Sequence, residues 1–207
     1  MGIEDCQSCF KKLISPSITV KPRTTSNSQK ASSSLKKVEL LFFNARSIAN
    51  KLDLLNSVLN SWNYDFIFTT ETWLKPFYND CFIIDTSFYN IIRADRINKR
   101  GGGVAVIYKN ELSNKISVVP TDINHDDFDI LAFDLHTYNH TTVRFVCVYI
   151  PPHNSKNYDV VCCLLNTLNR LMGDFDFYLL GDFNFSDINW NDSFHNFVKV
   201  HVNLYLF

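Results

Sequence analysis

Five polar residues stand at or just beyond the ends of apolar stretches. Asn44 follows Val38 to Phe43, Glu71 follows Phe66 to Thr70, Tyr149 lies near the end of Thr142 to Ile150, and Asp182 and Asn184 follow Phe177 to Leu180. Together they supply two carboxylates, two amides and a phenol. Carboxylate and amide oxygens, completed by water, suit a hard cation such as Mg²⁺, with Mn²⁺ as a substitute. A phosphodiester is the natural substrate of such a cation, which neutralises phosphate charge and stabilises the leaving oxygen. Any one of these residues alone would read as a turn former or a helix cap.

A second constellation is cationic. Arg93, Arg96, Lys99 and Arg100 precede Gly101-Gly102-Gly103. Such a run reads either as a substrate-binding loop that contacts phosphate or as a solvated hairpin connection whose glycines serve a turn. Trp73, just after Glu71, reads as a packed aromatic wall rather than a stacking platform. Asp122, Asp126, Asp127 and Asp129 lack the Gly and terminal Glu of a Ca²⁺ loop and read as a solvated connection. His125, His136, His140 and His153 have no paired spacing for zinc, and Cys6 and Cys9 form half a zinc motif with no second half.

The elements that must position these groups follow from periodicity. Residues 1–37 are rich in Ser, Thr and Lys from about Ser15 and read as a flexible tail. Order is expected from Val38, giving one domain over residues 38–207. Val38 to Phe43 reads as a strand; Ile48, Leu52, Leu55, Val58, Leu59 and Trp62 have helical spacing; Phe66 to Thr70 is a second strand. Further strands are expected at Ile91-Ile92, Gly103 to Tyr108, Ile130 to His136, Thr142 to Ile150 and Phe177 to Leu180, with a helix from Lys156 to Leu171. The pattern is α/β, with polar residues delivered at strand ends, where open sheets bind ligands.

Composition sets limits. With 207 residues and 46% hydrophobic content the chain can bury a good-sized core. A net charge of −1 gives no global attraction to nucleic acid, so phosphate binding must be local. Six cysteines at irregular positions favour a reducing compartment, hence an intracellular location, nuclear or cytoplasmic. No segment is long and apolar enough for a membrane helix.

Asn44-Ala45-Arg46-Ser47-Ile48, Glu71-Thr72-Trp73-Leu74, Arg93-Ala94-Asp95-Arg96 with Gly101-Gly102-Gly103-Val104, Val148-Tyr149-Ile150-Pro151-Pro152 and Gly181-Asp182-Phe183-Asn184 occur in that order. The series resembles the endonuclease/exonuclease/phosphatase family, in the version found ahead of the reverse transcriptase in non-LTR retrotransposons. Asp187-Ile188-Asn189-Trp190 is similar to the jockey and CR1-like branches. The resemblance implies a four-layer α/β/β/α sandwich and a Mg²⁺-dependent nuclease whose partners are DNA and a reverse transcriptase domain in a longer parent protein. It implies that Glu71 binds the metal and that Asn44 holds the metal or a phosphate oxygen. Asp182 would orient or deprotonate the attacking water, Asn184 would position Asp182 or the phosphate, and Tyr149 would donate to the charge developing on phosphorus.

The family pattern continues to a second metal-site Asp and a Ser-Asp-His segment, and neither is found in the 25 positions after Asp182. The resemblance therefore implies a second sheet that is incomplete, unless Val198 to Phe207 supplies a strand, and catalysis that is weakened or lost. A non-catalytic nucleic-acid-binding or inert remnant is one alternative; a phosphatase of the same fold is another.

Overall fold

Residues 38–97, 99–121, 127–137 and 141–185 are described by a computed structural model. The expectations for residues 1–37, the Cys6/Cys9 pair, Asp122, His125, Asp126, His140, the Asp187 to Trp190 segment and the end of the second sheet lie outside them.

Alternating apolar side chains in the strands must be covered on both faces, and the chain does this with two packed sheets. The strands are β1 (Leu40–Asn44), β2 (Phe66–Thr70), β3 (Tyr89–Ala94), β4 (Val104–Lys109), β5 (Ile116–Val119), β6 (Asp129–His136), β7 (Thr142–Tyr149) and β8 (Asp176–Asp182). The helices are α1 (Leu52–Ser61), between β1 and β2, and α2 (Tyr158–Leu171), between β7 and β8. One sheet has the order β1-β2-β4-β3 and the other β5-β6-β7-β8. In each, the pair joined through a helix is parallel, β1 with β2 and β7 with β8, and the remaining pairs are antiparallel. A parallel pair needs a long crossover, which α1 and α2 provide.

Phe66 and Phe68 point from β2 into the space between the sheets and meet Phe133 of β6 and Phe145 of β7. The ring centroids are 5.6 Å apart for Phe66 and Phe133, 5.7 Å for Phe68 and Phe145, and 5.2 Å for Phe133 and Phe145. On the outer face of the first sheet, Ile67 and Ile107 pack against Leu55 and Leu59 of α1. On the outer face of the second, Val146 and Val148 pack against Val161, Leu164 and Leu168 of α2. The layers are therefore α/β/β/α, as the resemblance implies.

Local differences have physical causes. Helix α1 starts at Leu52 rather than Ile48. Arg46 and Ser47 adopt positive φ of 43° and 80°, and the Ser47 and Ile48 N–H groups donate to the Glu71 and Thr72 carbonyls, both at 2.8 Å. Those residues extend the sheet edge and cannot begin a helix. Strand β5 was not expected; four residues carry too little alternation to stand out, and antiparallel pairing with β6 makes them a strand.

Candidate active site

Registration across each sheet sets up the site. Asn44 pairs with Thr70, so β1 and β2 end together and Glu71 emerges beside Asn44. In the second sheet Tyr149 pairs with Asp129 on one side and Asp182 on the other, a row of three polar residues across the strand ends. The two rows meet through Asn44. Its Nδ2 donates to Glu71 Oε1 at 2.7 Å and to Asp182 Oδ2 at 2.8 Å, the second bond crossing from one sheet to the other. Its Oδ1 accepts from the Arg46 N–H at 3.1 Å.

Tyr149 completes the cluster. Burial, then the Glu71 charge and a hydrogen bond to Glu71, then the Asp182 charge, raise its phenol above the ordinary tyrosine value, with Arg96 opposing. The phenol is accordingly a neutral donor beside two carboxylates. Asn184 is close in sequence but turned elsewhere: its Nδ2 donates to the Ile150 carbonyl at 2.8 Å, while the Ile150 N–H donates to the Asp182 carbonyl at 3.0 Å. It thus ties the segment after β8 to the end of β7 and fixes the backbone that carries Asp182.

Strain gathers at the same pole. Among the described residues the non-glycine positions with positive φ are Arg46, Ser47, Glu71, Trp73 and Asn184, all in the segments that follow β1, β2 and β8. Left-handed backbone costs on the order of 1–3 kcal/mol per residue outside glycine and persists where surrounding structure fixes it.

The four cations of the sequence divide. Arg93 is engaged within the fold: Nε pairs with Asp80 at 3.0 Å, Nη1 with Asp95 at 3.2 Å, and Nη2 donates to the Tyr78 carbonyl. Arg96 is buried, and its Nε and Nη2 donate to Asp129 Oδ1 and Oδ2 at 2.9 and 2.7 Å, with the guanidinium 5.7 Å from the centre of the Tyr149 ring. Lys99 and Arg100 are exposed, and the Lys99 carbonyl accepts from Lys75 Nζ at 2.7 Å.

Asp129 corrects the solvated reading of the acidic stretch. It is 8% exposed, and it also accepts the Gly103 N–H at 2.8 Å. Burial pushes its carboxyl upward, opposed by Arg96 and the Gly103 N–H. The register opposite Tyr149 was the missing signal, since it places Asp129 at a strand end rather than in a loop. The glycines, too, do more than turn the chain. A Cβ on Gly102 would stand 2.7 Å from Arg96 Cζ and from Asp129 Oδ2, and one on Gly103 would stand 2.5 Å from Thr72 Oγ1. Their lack of a side chain lets the loop close over the buried ion pair. Lys75, which no sequence pattern marks, donates from Nζ to the Arg96 and Lys99 carbonyls and holds the loop ahead of the glycines.

The donor set fits a hard cation. Glu71 and Asp182 present oxygen only, and Mg²⁺ usually takes one or two carboxylates from a protein and fills its shell with water and substrate. Among the described residues no three His, Cys, Asp or Glu side chains converge into a cage. Asn44 turns its N–H groups, not its oxygen, toward the carboxylates, so in this arrangement it orients them rather than offering a ligand.

Two packed α/β sheets with an oxygen-rich cluster bridging their ends define a fold shared by nucleases and phosphatases. The profile of the Endonuclease/Exonuclease/phosphatase family matches residues 41–198, and the chain belongs to that family. Solved structures agree on the fold. A 3′ phosphatase from Neisseria, bound to a product DNA hairpin, superposes with a TM-score of 0.54 at 17% identity, covering 71% of this chain and 58% of that one. The AP endonuclease of Leishmania major gives 0.52 at 15% identity, with 77% and 60% covered. An AP endonuclease from Archaeoglobus fulgidus gives 0.52 at 18%, with 71% and 57% covered. The chain thus spans about six tenths of the length of these structures. A comparison with curated proteins finds no match.

Proposed function

We propose that this chain carries a Mg²⁺-dependent phosphodiesterase site that nicks DNA, of the kind found ahead of a reverse transcriptase in non-LTR retrotransposons. The observation that carries the reading is the Asn44 amide joining Glu71 of one sheet to Asp182 of the other. The five ordered motifs support the retrotransposon assignment.

Glu71 would hold the cation, which when bound supplies Lewis-acid stabilisation of phosphate charge. Asp182, fixed by the Asn44 amide and by the Ile150 N–H on its carbonyl, accepts a proton from the attacking water. Tyr149, a neutral phenol, donates to the phosphate oxygen that gains charge as the water adds. Asn184 keeps the Asp182 segment in register through Ile150. Arg96 and Asp129 support the Tyr149 ring from the side away from Asp182.

A second reading is binding without cleavage, for which the exposed Lys99 and Arg100 beside the glycine loop would serve. Supercoiled plasmid incubated with the chain in Mg²⁺ and in EDTA separates the two. Nicked circles that appear with Mg²⁺ and not with EDTA support the nuclease. A salt-dependent gel shift without nicking supports binding alone, and release of phosphate from a small ester without nicking supports a phosphatase.

A further inference from the structure

The segment carrying Glu71 lies between two others, and the hydrogen bonds show how closely. On one side the Ser47 and Ile48 N–H groups donate to the Glu71 and Thr72 carbonyls. On the other the Thr72 and Trp73 N–H groups donate to the Gly103 and Gly102 carbonyls at 3.3 and 2.9 Å. Three segments therefore run side by side past the end of the sheet, and the backbones of the outer two, each one hydrogen bond from the middle one, stand roughly 10 Å apart.

Each outer segment carries an exposed arginine. Arg46 has its backbone fixed three times over: its N–H donates to Asn44 Oδ1, its carbonyl accepts from Lys51 Nζ at 3.1 Å, and the next N–H is held by Glu71. Its side chain is exposed, and no hydrogen bond or ion pair from its guanidinium is found among the described residues. Arg100 is likewise exposed, one residue before Gly101, whose Cβ position lies 3.4 Å from the Trp73 indole nitrogen. By contrast Arg93 and Arg96 are held by carboxylates inside the fold. A site built on Glu71 and Asp182 repels phosphate, and a chain of net charge −1 offers no general field to overcome this.

We propose that Arg46 and Arg100 form a two-sided phosphate clamp that straddles the Glu71 segment, and that the substrate is a polynucleotide engaged through phosphates on both sides of the scissile one. This rests on the phosphodiesterase reading for its chemistry. A small phosphate ester offers one phosphate to the two arginines, whereas phosphates recur every ~3.4 Å of helix axis along one DNA strand and can supply a separate partner to each. Arg46 is then a substrate-positioning residue, its turn held by the same Asn44 that orients both carboxylates.

The test is fluorescence anisotropy of a labelled duplex oligonucleotide with the whole chain in EDTA, over a series of salt concentrations. Arg46→Gln and Arg100→Gln are each expected to lower affinity about tenfold and to reduce the slope of log affinity against log salt by about one. Arg46→Lys should restore most of the slope. Arg170→Gln, in the last turn of α2 at the far end of the sandwich, should leave it unchanged. Equal slopes for the wild type and Arg46→Gln, or a wild type with no salt-dependent binding, overturn the clamp. A wild type that nicks plasmid while its slopes ignore both arginines sinks the clamp and leaves the nuclease standing; expected slopes without nicking do the reverse.

Discussion

At the scale of single residues, the buried pair of Arg96 and Asp129 links the glycine loop to the row that contains Tyr149. Both side chains are nearly inaccessible, so removing one partner leaves an uncompensated buried charge. Arg96→Ala or Asp129→Ala should each lower unfolding free energy by about 3–5 kcal/mol, and the double substitution should cost less than the sum of the two. Urea denaturation of the three variants checks this, and simple additivity would show that the pair is not coupled. Gly102→Ala tests the same contact from the other side. Its φ of 70° and the 2.7 Å approach to Arg96 and Asp129 both oppose a side chain, so it should destabilise despite adding one methyl.

At the scale of elements, the aromatic rings between the sheets hold the strand ends in register. Phe133 is fully buried and stacks on Phe66, Phe68 and Phe145. Phe133→Ala should cost about 3–5 kcal/mol, measured by the same denaturation, and a change below about 1 kcal/mol would mean that the sheets do not pack through this residue. Thiol reactivity gives an independent check. Cys147 lies in β7 within the inter-sheet core, and burial raises its thiol well above the ordinary value, whereas Cys81 is exposed. A maleimide applied to the native protein should modify Cys81 and spare Cys147, as read by peptide mass mapping. Labelling of both at similar rates would contradict an assembled sandwich.

At the scale of the whole molecule, much of the arrangement was legible because periodicity and strand ends carry it. The long strands β6 and β7 and the helix α2 stand out by pattern, and of the polar residues near the strand ends the fold gathers four and turns Asn184 away. Asn44, Glu71, Tyr149 and Asp182 meet because two parallel pairs end at the same pole. What the sequence did not disclose is orientation. Nothing in the order of residues says that Asn184 reaches for Ile150, that Arg93 and Arg96 turn inward, or that Asp129 faces Tyr149 across β6 and β7. Those facts depend on register between strands distant in sequence, which a one-dimensional pattern does not hold.

The carboxylates joined by Asn44 are proposed to form a phosphodiesterase site. The most direct measurement is the rate of Mg²⁺-dependent plasmid nicking by the wild type, Glu71→Ala and Asp182→Ala, at equal concentrations of folded protein matched by thermal melting. The wild type should nick in Mg²⁺ and stop in EDTA, and each variant should fall by a factor of about 10² or more while keeping its fold. Nicking that survives either substitution at the wild-type rate would contradict the account and place the chemistry elsewhere.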